Sequence, residues 1–313
     1  VIYNSNFTMQ EGSSLKNING VGIQMFGNNG GTVTVNGEIT GCTNSAIHMN
    51  TASAPSGEMT KEDRLHLIIG PTGTVHNNVG NMYGTVTAQV YNGLIDVYGK
   101  IHSNYSSDRA GITLATNWGT STVYLHNGAE ISNNVAGGTS GIAVAKGTVY
   151  MEDGSLVSDN ITTGDERGSG IYIERDGHFI MNGGEVVRNA SAGSFGGVAF
   201  KSEEYYVSEL HPCAILNGGT ISNNIMNATI IGTGTDTEAY SVTGGTNSDI
   251  SVVSGESANI DRYLTISNEV TLSEESIYMQ SYDYTIERPR EGVKLGNASA
   301  EGEIALKTAS GNL

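Results

Sequence analysis

The phrase YLHNGAEISNN at residues 124–134 constrains this chain more than any other feature, because it returns along the sequence. GSLVSDN (154–160), NGGEVVRN (182–189) and NGGTISNN (217–224) keep its hydrophobic, glycine and asparagine positions. GTVHNN (73–78) and GKIHSN (99–104) are weaker copies. A period of about 26 to 36 residues has to be read as a repeat architecture before any local assignment is made.

Each copy opens on an alternating run, TVYL (122–125), TVYM (148–151) or HFIM (178–181), which is the pattern of a half-buried strand. One or two glycines follow, where the chain turns without a Cβ to clash. A second short strand carries one inward residue: Val75, Ile101, Ile131, Val157, Val186 and Ile221 in successive copies. Three positions later comes an asparagine: Asn78, Asn104, Asn134, Asn160, Asn189 and Asn224. Most copies add a loop and a Gly-hydrophobic strand, GITL (111–114), GIAV (141–144), GIYI (170–173) or GVAF (197–200).

Short strands and turns repeated at this length predict an all-β chain, a right-handed parallel β-helix wound as a three-sheet solenoid with loop insertions. Coils stacking at about 4.8 Å would place equivalent residues in columns. The asparagine column then explains itself, because a buried amide with two donors and an acceptor is satisfied by the amides above and below. The sequons at Asn104, Asn160 and Asn189 fall on ladder positions, so they are expected to be buried.

The segments NGGTISNN, HNGAEISNN and FIMNGGEVVRN resemble the glycine-rich β-helix repeats of large surface proteins from gut bacteria. YLTISNEVTLSEESIYMQSYDYTIERP (263–289) resembles their closing coils. The resemblance implies an extracellular setting, secreted or attached to the cell surface, and a parent chain continuing at both ends. It does not imply one activity, since this architecture hosts adhesins, lyases and glycosidases alike.

The repeat crosses every plausible boundary, so residues 1–313 read as one elongated domain with insertions near 51–64 and 201–213 and irregular closing coils over 225–313. The formal net charge of -17 opposes binding of nucleic acid and anionic membranes, and weighs against polyanionic substrates. No apolar run is long enough to span a membrane, and no zinc-ligand spacing or cofactor motif occurs. Cys42 and Cys213 fall about six coils apart, too far for a disulfide, so both are expected as free thiols, with Cys42 at a ladder position.

Chemistry on a β-helix sits on the outer faces of its sheets and on the loops leaving them. The Gly-hydrophobic strands would align Thr113, Ala143, Tyr172 and Ala199 in one outward column, and Ala115, Ala145, Glu174 and Lys201 in the next. Asp108, Arg109, Asp165, Glu166 and Arg167 lie on the neighbouring loops. The first expectation is a surface-displayed adhesin or glycan-binding module, taking a host or dietary glycan or a glycoprotein through Trp118, Tyr172, Arg167, Lys201, Tyr205 and Tyr206. The alternative is a glycoside hydrolase similar to β-helix lacto-N-biosidases, more plausible than a lyase, with Glu174 and Asp165 or Glu166 as the carboxylate pair. A structural stalk is the third reading. Paired acids in a groove with an aromatic platform favour the enzyme, a shallow aromatic face favours binding, and a featureless polar face favours the stalk.

Overall fold

The computed structural model describes residues 1–27, 30–51, 64–80, 83–114, 120–164, 167–201 and 213–253, with shorter stretches between 263 and 312; for Lys201 and Cys213 it describes the backbone alone. The chain is an all-β parallel β-helix. Three sheets run along it, with 21, 9 and 7 strands among the described residues, parallel except at Thr246–Asn247 and Gly311–Asn312.

One coil shows how the repeat builds this. Glu130–Ser132 lies in the second sheet between Lys100–His102 and Leu156–Ser158. The chain turns at Asn133–Asn134 into the two-residue strand Val135–Ala136 of the third sheet. It then enters the first sheet as Ile142–Met151, paired with Ile171–Met181 of the next coil. Two expectations are corrected here. The Gly-hydrophobic and TVYM-type runs are not separate sheets but consecutive parts of one, fused into single strands at Ile142–Met151 and Ile171–Met181. The third sheet comes instead from the residues just after each asparagine, read from sequence as loop. Two residues are too few to show a period, which is why alternation could not reveal them.

The interior is a stack of columns. Ile39, Val75, Ile101, Ile131, Val157, Val186 and Ile221 follow one another on the second sheet, all fully buried. On the first sheet Val33, Leu67, Ile95, Val123, Val149 and Phe179 do the same. Each such side chain contributes about 1.5–3 kcal/mol by leaving water.

The asparagine column closes the corner between the second and third sheets. Nδ2 of Asn78, Asn104, Asn134, Asn160 and Asn189 each donates to Oδ1 of the next asparagine at 2.9–3.0 Å. The backbone N–H of each donates to the same oxygen, and the second amide hydrogen goes to a carbonyl of the preceding coil, as from Asn134 to Ile101. Every polar atom of these buried amides is therefore satisfied. At one end Cys42 occupies the ladder position, its N–H donating to Asn78 Oδ1, and its buried thiol is free. At the other end stands Asp249. The residue before Cys42 and before each ladder asparagine is left-handed: Gly41, Asn77, Ser103, Asn133, Asp159, Arg188 and Asn223 have φ between 50° and 70°. This conformation turns the chain sharply and suits Gly, Asn and Asp best.

After Asn224 the repeat loosens, as expected. Ile225–Met226 meets Thr246–Asn247 antiparallel, and Thr229–Ile231 forms a hairpin with Ser241–Thr243. The insertions at 52–63 and 202–212 lie outside the described residues.

Candidate functional site

The first sheet has two outward faces, one on each part of its long strands. On the earlier part the register aligns Thr113, Ala143, Tyr172 and Ala199 as expected. All four are buried, Tyr172 at 1% exposure. Its ring meets that of Phe195 edge-on at 6.1 Å, so it is packed against protein. Glu174 follows at 2% exposure. Its backbone pairs with that of Lys201. Trp118, Asp165, Glu166, Tyr205 and Tyr206 lie outside the described residues.

Glu174 sits on a β-bulge. Val144 pairs with Ile173 and Lys146 with Asp176, so Ala145 alone opposes Glu174 and Arg175, and Arg175 is left-handed at φ 55°. A bulge re-aims the side chains beside it. Arg109, two coils earlier, reaches Glu174 with Nη2 3.5 Å from Oε1. In the reverse sense Arg167 Nη1 donates to Asp108 Oδ1 at 2.5 Å, again across two coils. Arg109 Nε lies 3.9 Å from Asp108 Oδ2 and links the two pairs. The coil between them makes room with small residues. A Cβ on Gly138 would strike Asp108 Oδ1 and crowd Arg167 Nη1 at 3.2 Å. Gly138 is thus required by space. The sequence-predicted Glu174 and Arg167 do come together with Asp108 and Arg109, in a network of two acids and two arginines that cancels its own charge.

The later part of the first sheet carries a face that the sequence reading missed. Register stacks Tyr124, Tyr150, Ile180 and Ile215 along the axis. The first three are half-buried and Ile215 is exposed. The rings of Tyr124 and Tyr150 are parallel within 10° with centroids 4.8 Å apart, so they cover each other's faces and turn edges and hydroxyls outward. Beside them runs a polar column, Tyr98, His126, Glu152, Asn182 and Asn217. His126 stacks on Tyr98 at 4.2 Å, and Asn217 Nδ2 donates to Asn182 Oδ1 at 2.8 Å.

His126 joins two carboxylates. Its Nε2 is 2.7 Å from Asp96 Oδ1 and its Nδ1 is 2.9 Å from Glu152 Oε2, while His66 Nε2 holds the other Asp96 oxygen at 2.6 Å. An imidazole that donates from both nitrogens is an imidazolium. Burial alone would lower the His126 pKa, but the bonds from Asp96 and Glu152 outweigh it and raise it above the ordinary histidine value. Burial would raise that of Asp96, and the two histidines hold it below the usual carboxylate range. The signal was present in the repeat. Aligning TVYLH with TVYME puts Tyr124 over Tyr150 and His126 beside Glu152.

A cavity of about 520 Å³ is lined by Ile2, Phe7, Met9, Leu15 and Ile23 of the first coils. Among the described residues no cluster of ligating side chains is placed to hold a metal ion, and no helix is long and apolar enough to cross a membrane. In comparisons with known proteins, no family model, no curated protein and no solved structure matches the chain.

Proposed function

We propose that this chain is a non-catalytic β-helix module, displayed outside the cell, that binds glycan on the later outward face of its first sheet. One observation carries the reading: an unbroken, partly exposed strip, Tyr124 to Ile215, is flanked by side chains that both donate and accept hydrogen bonds. A sugar offers both kinds of surface, apolar ring faces and a rim of hydroxyls. The acidic charge of the chain favours a neutral ligand over an anionic one. A glycan array with product analysis tests this. Binding without cleavage, weakened about tenfold by Tyr124→Ala or Tyr150→Ala, is the expected result; no binding to any neutral glycan refutes it.

A second reading, a glycoside hydrolase, draws on Asp108 and Glu174, two carboxylates meeting one guanidinium beside a bulge. Against it stand the burial of Glu174 and the commitment of both acids to arginines. Cleavage of an array glycan, abolished by Glu174→Gln in a variant of unchanged stability, would replace the binding reading with this one.

A further inference from the structure

We infer that the ligand of this face is a neutral linear polysaccharide with equatorial linkages, lying along the solenoid axis with one sugar to each coil. The inference rests on the glycan-binding reading and specifies its ligand.

Periodicity is the argument. Four successive strands, Ser121–Leu125, Ile142–Met151, Ile171–Met181 and Cys213–Leu216, present the face in parallel register without a shift over this part. The repeat of the surface is therefore the strand spacing of about 4.8 Å, and the ring centroids of Tyr124 and Tyr150 lie 4.8 Å apart. An extended chain of pyranoses joined through equatorial bonds advances by close to this distance per sugar. Such a chain sets one sugar on each coil; successive sugars are turned over, but an all-equatorial ring is apolar on both faces, so an apolar face meets the strip each time. Axially linked chains advance less per sugar and curl away, so they lose register after one or two residues.

The chemistry of the two columns agrees. The central one presents the ring edges of Tyr124 and Tyr150 and the aliphatic side chains of Ile180 and Ile215, matching the ring hydrogens of equatorially substituted sugars. The flanking one ends in carboxylate or amide groups at Glu152, Asn182 and Asn217, which suit hydroxyls repeated at one pitch. Charge excludes the polyuronates. Asp96 and Glu152, bridged by His126, lie at one end of the strip, and the chain as a whole is strongly acidic.

Calorimetry on the full chain decides it, with β-1,4-linked gluco-, manno- and xylo-oligosaccharides of two to six sugars as probes. Malto-oligosaccharides of equal length serve as the axially linked control, and polygalacturonate as the anionic one. At least one equatorial series should tighten with each added sugar up to four and then level off. The malto series should bind about tenfold more weakly at the same length. Tyr150→Ala in the middle of the strip should weaken every length, and Asn217→Ala at its end only the longest. Affinity independent of length, equal binding of the malto series, preference for polygalacturonate, or binding confined to glycans outside the equatorial series would overturn the inference while leaving the glycan-binding reading intact. A dimer that Ile180→Asp dissociates would also overturn it, by placing a second copy on the strip. Failure of every glycan on the array would instead sink the reading beneath it.

Discussion

Asn224 passes the last amide bond of its ladder to Asp249, with Nδ2 3.0 Å from Oδ1. The backbone N–H of Asn224 donates to the same oxygen, and Ser273 N–H donates to Oδ2 at 2.7 Å. Donors thus arrive at both oxygens, and only a carboxylate accepts on both sides; an asparagine here would turn its NH₂ toward one of them. Asp249→Ala should cost about 3 kcal/mol in urea denaturation, by leaving buried donors unpaired. Asp249→Asn should stay within about 1 kcal/mol at pH 7, because losing one acceptor is offset by losing a buried charge. Burial raises the Asp249 pKa against the N–H donors that lower it. A folded pKa above the unfolded one adds stability that is complete below the unfolded value and is lost as pH rises through the folded value. The stability of the wild type relative to Asp249→Asn should therefore grow as pH falls from 7 toward 4. A flat difference would refute the buried-carboxylate account.

His126 carries the same sign, and its partner Asp96 the opposite one. Its raised pKa makes its contribution complete below the ordinary histidine value and lost as pH rises through the folded one. The lowered pKa of Asp96 keeps its share until pH falls well into the acid range. The clamp is strongest between these limits. His126→Gln should cost about 1 kcal/mol at pH 6, a small figure because Glu152 is 45% exposed, and the cost should shrink above neutrality. An NMR titration of the His126 ring showing no elevation would contradict the doubly bonded geometry.

Arg109 brings its guanidinium to within 3.5 Å of Glu174, which is 2% exposed. Arg109→Met should destabilise by about 3 kcal/mol, because it takes a cation away from a nearly buried carboxylate. The double variant Arg109→Met with Glu174→Leu should recover most of that loss, since replacing a whole buried pair is often neutral. Equal losses in single and double variants would show that the two side chains are uncoupled.

Ser103 holds φ at 52°, a position that Gly41, Asn77, Asn133 and Asn223 fill in other coils. Ser103→Gly should raise the melting temperature slightly, corresponding to at most about 1 kcal/mol, as relief of the left-handed conformation exceeds the entropy glycine adds to the unfolded chain. A fall in melting temperature would mean that the contact between Ser103 Oγ and His102 Nδ1 matters more than the backbone.

Most of the helix was legible because its determinants are local and repeated. The inward residues from Val75 to Ile221 and the ladder from Asn78 to Asn224 each recur at one place in a short phrase, and each is buried where that phrase puts it. Even Cys42 was placed on the ladder by spacing alone, and its N–H makes the ladder bond. The candidate site was less legible for two reasons. Burial of Tyr172 beneath Phe195 depends on a turn from another part of the coil, which alternation does not encode. The bonds of Arg109 to Glu174 and Arg167 to Asp108 skip a coil, so aligning neighbouring repeats cannot find them. The strip from Tyr124 to Ile215 was encoded, in positions just beyond those that identify the fold.

The coil-skipping arginines also bear on how the solenoid comes apart. Where each coil touches only its neighbours, a stack frays one layer at a time from its ends. At Asp108, Gly138 and Arg167 the first layer is tied to the third, so the middle one cannot leave while its neighbours stay joined. Hydrogen exchange should find these three layers opening in a single step, a rigid block set within a chain that otherwise unwinds gradually.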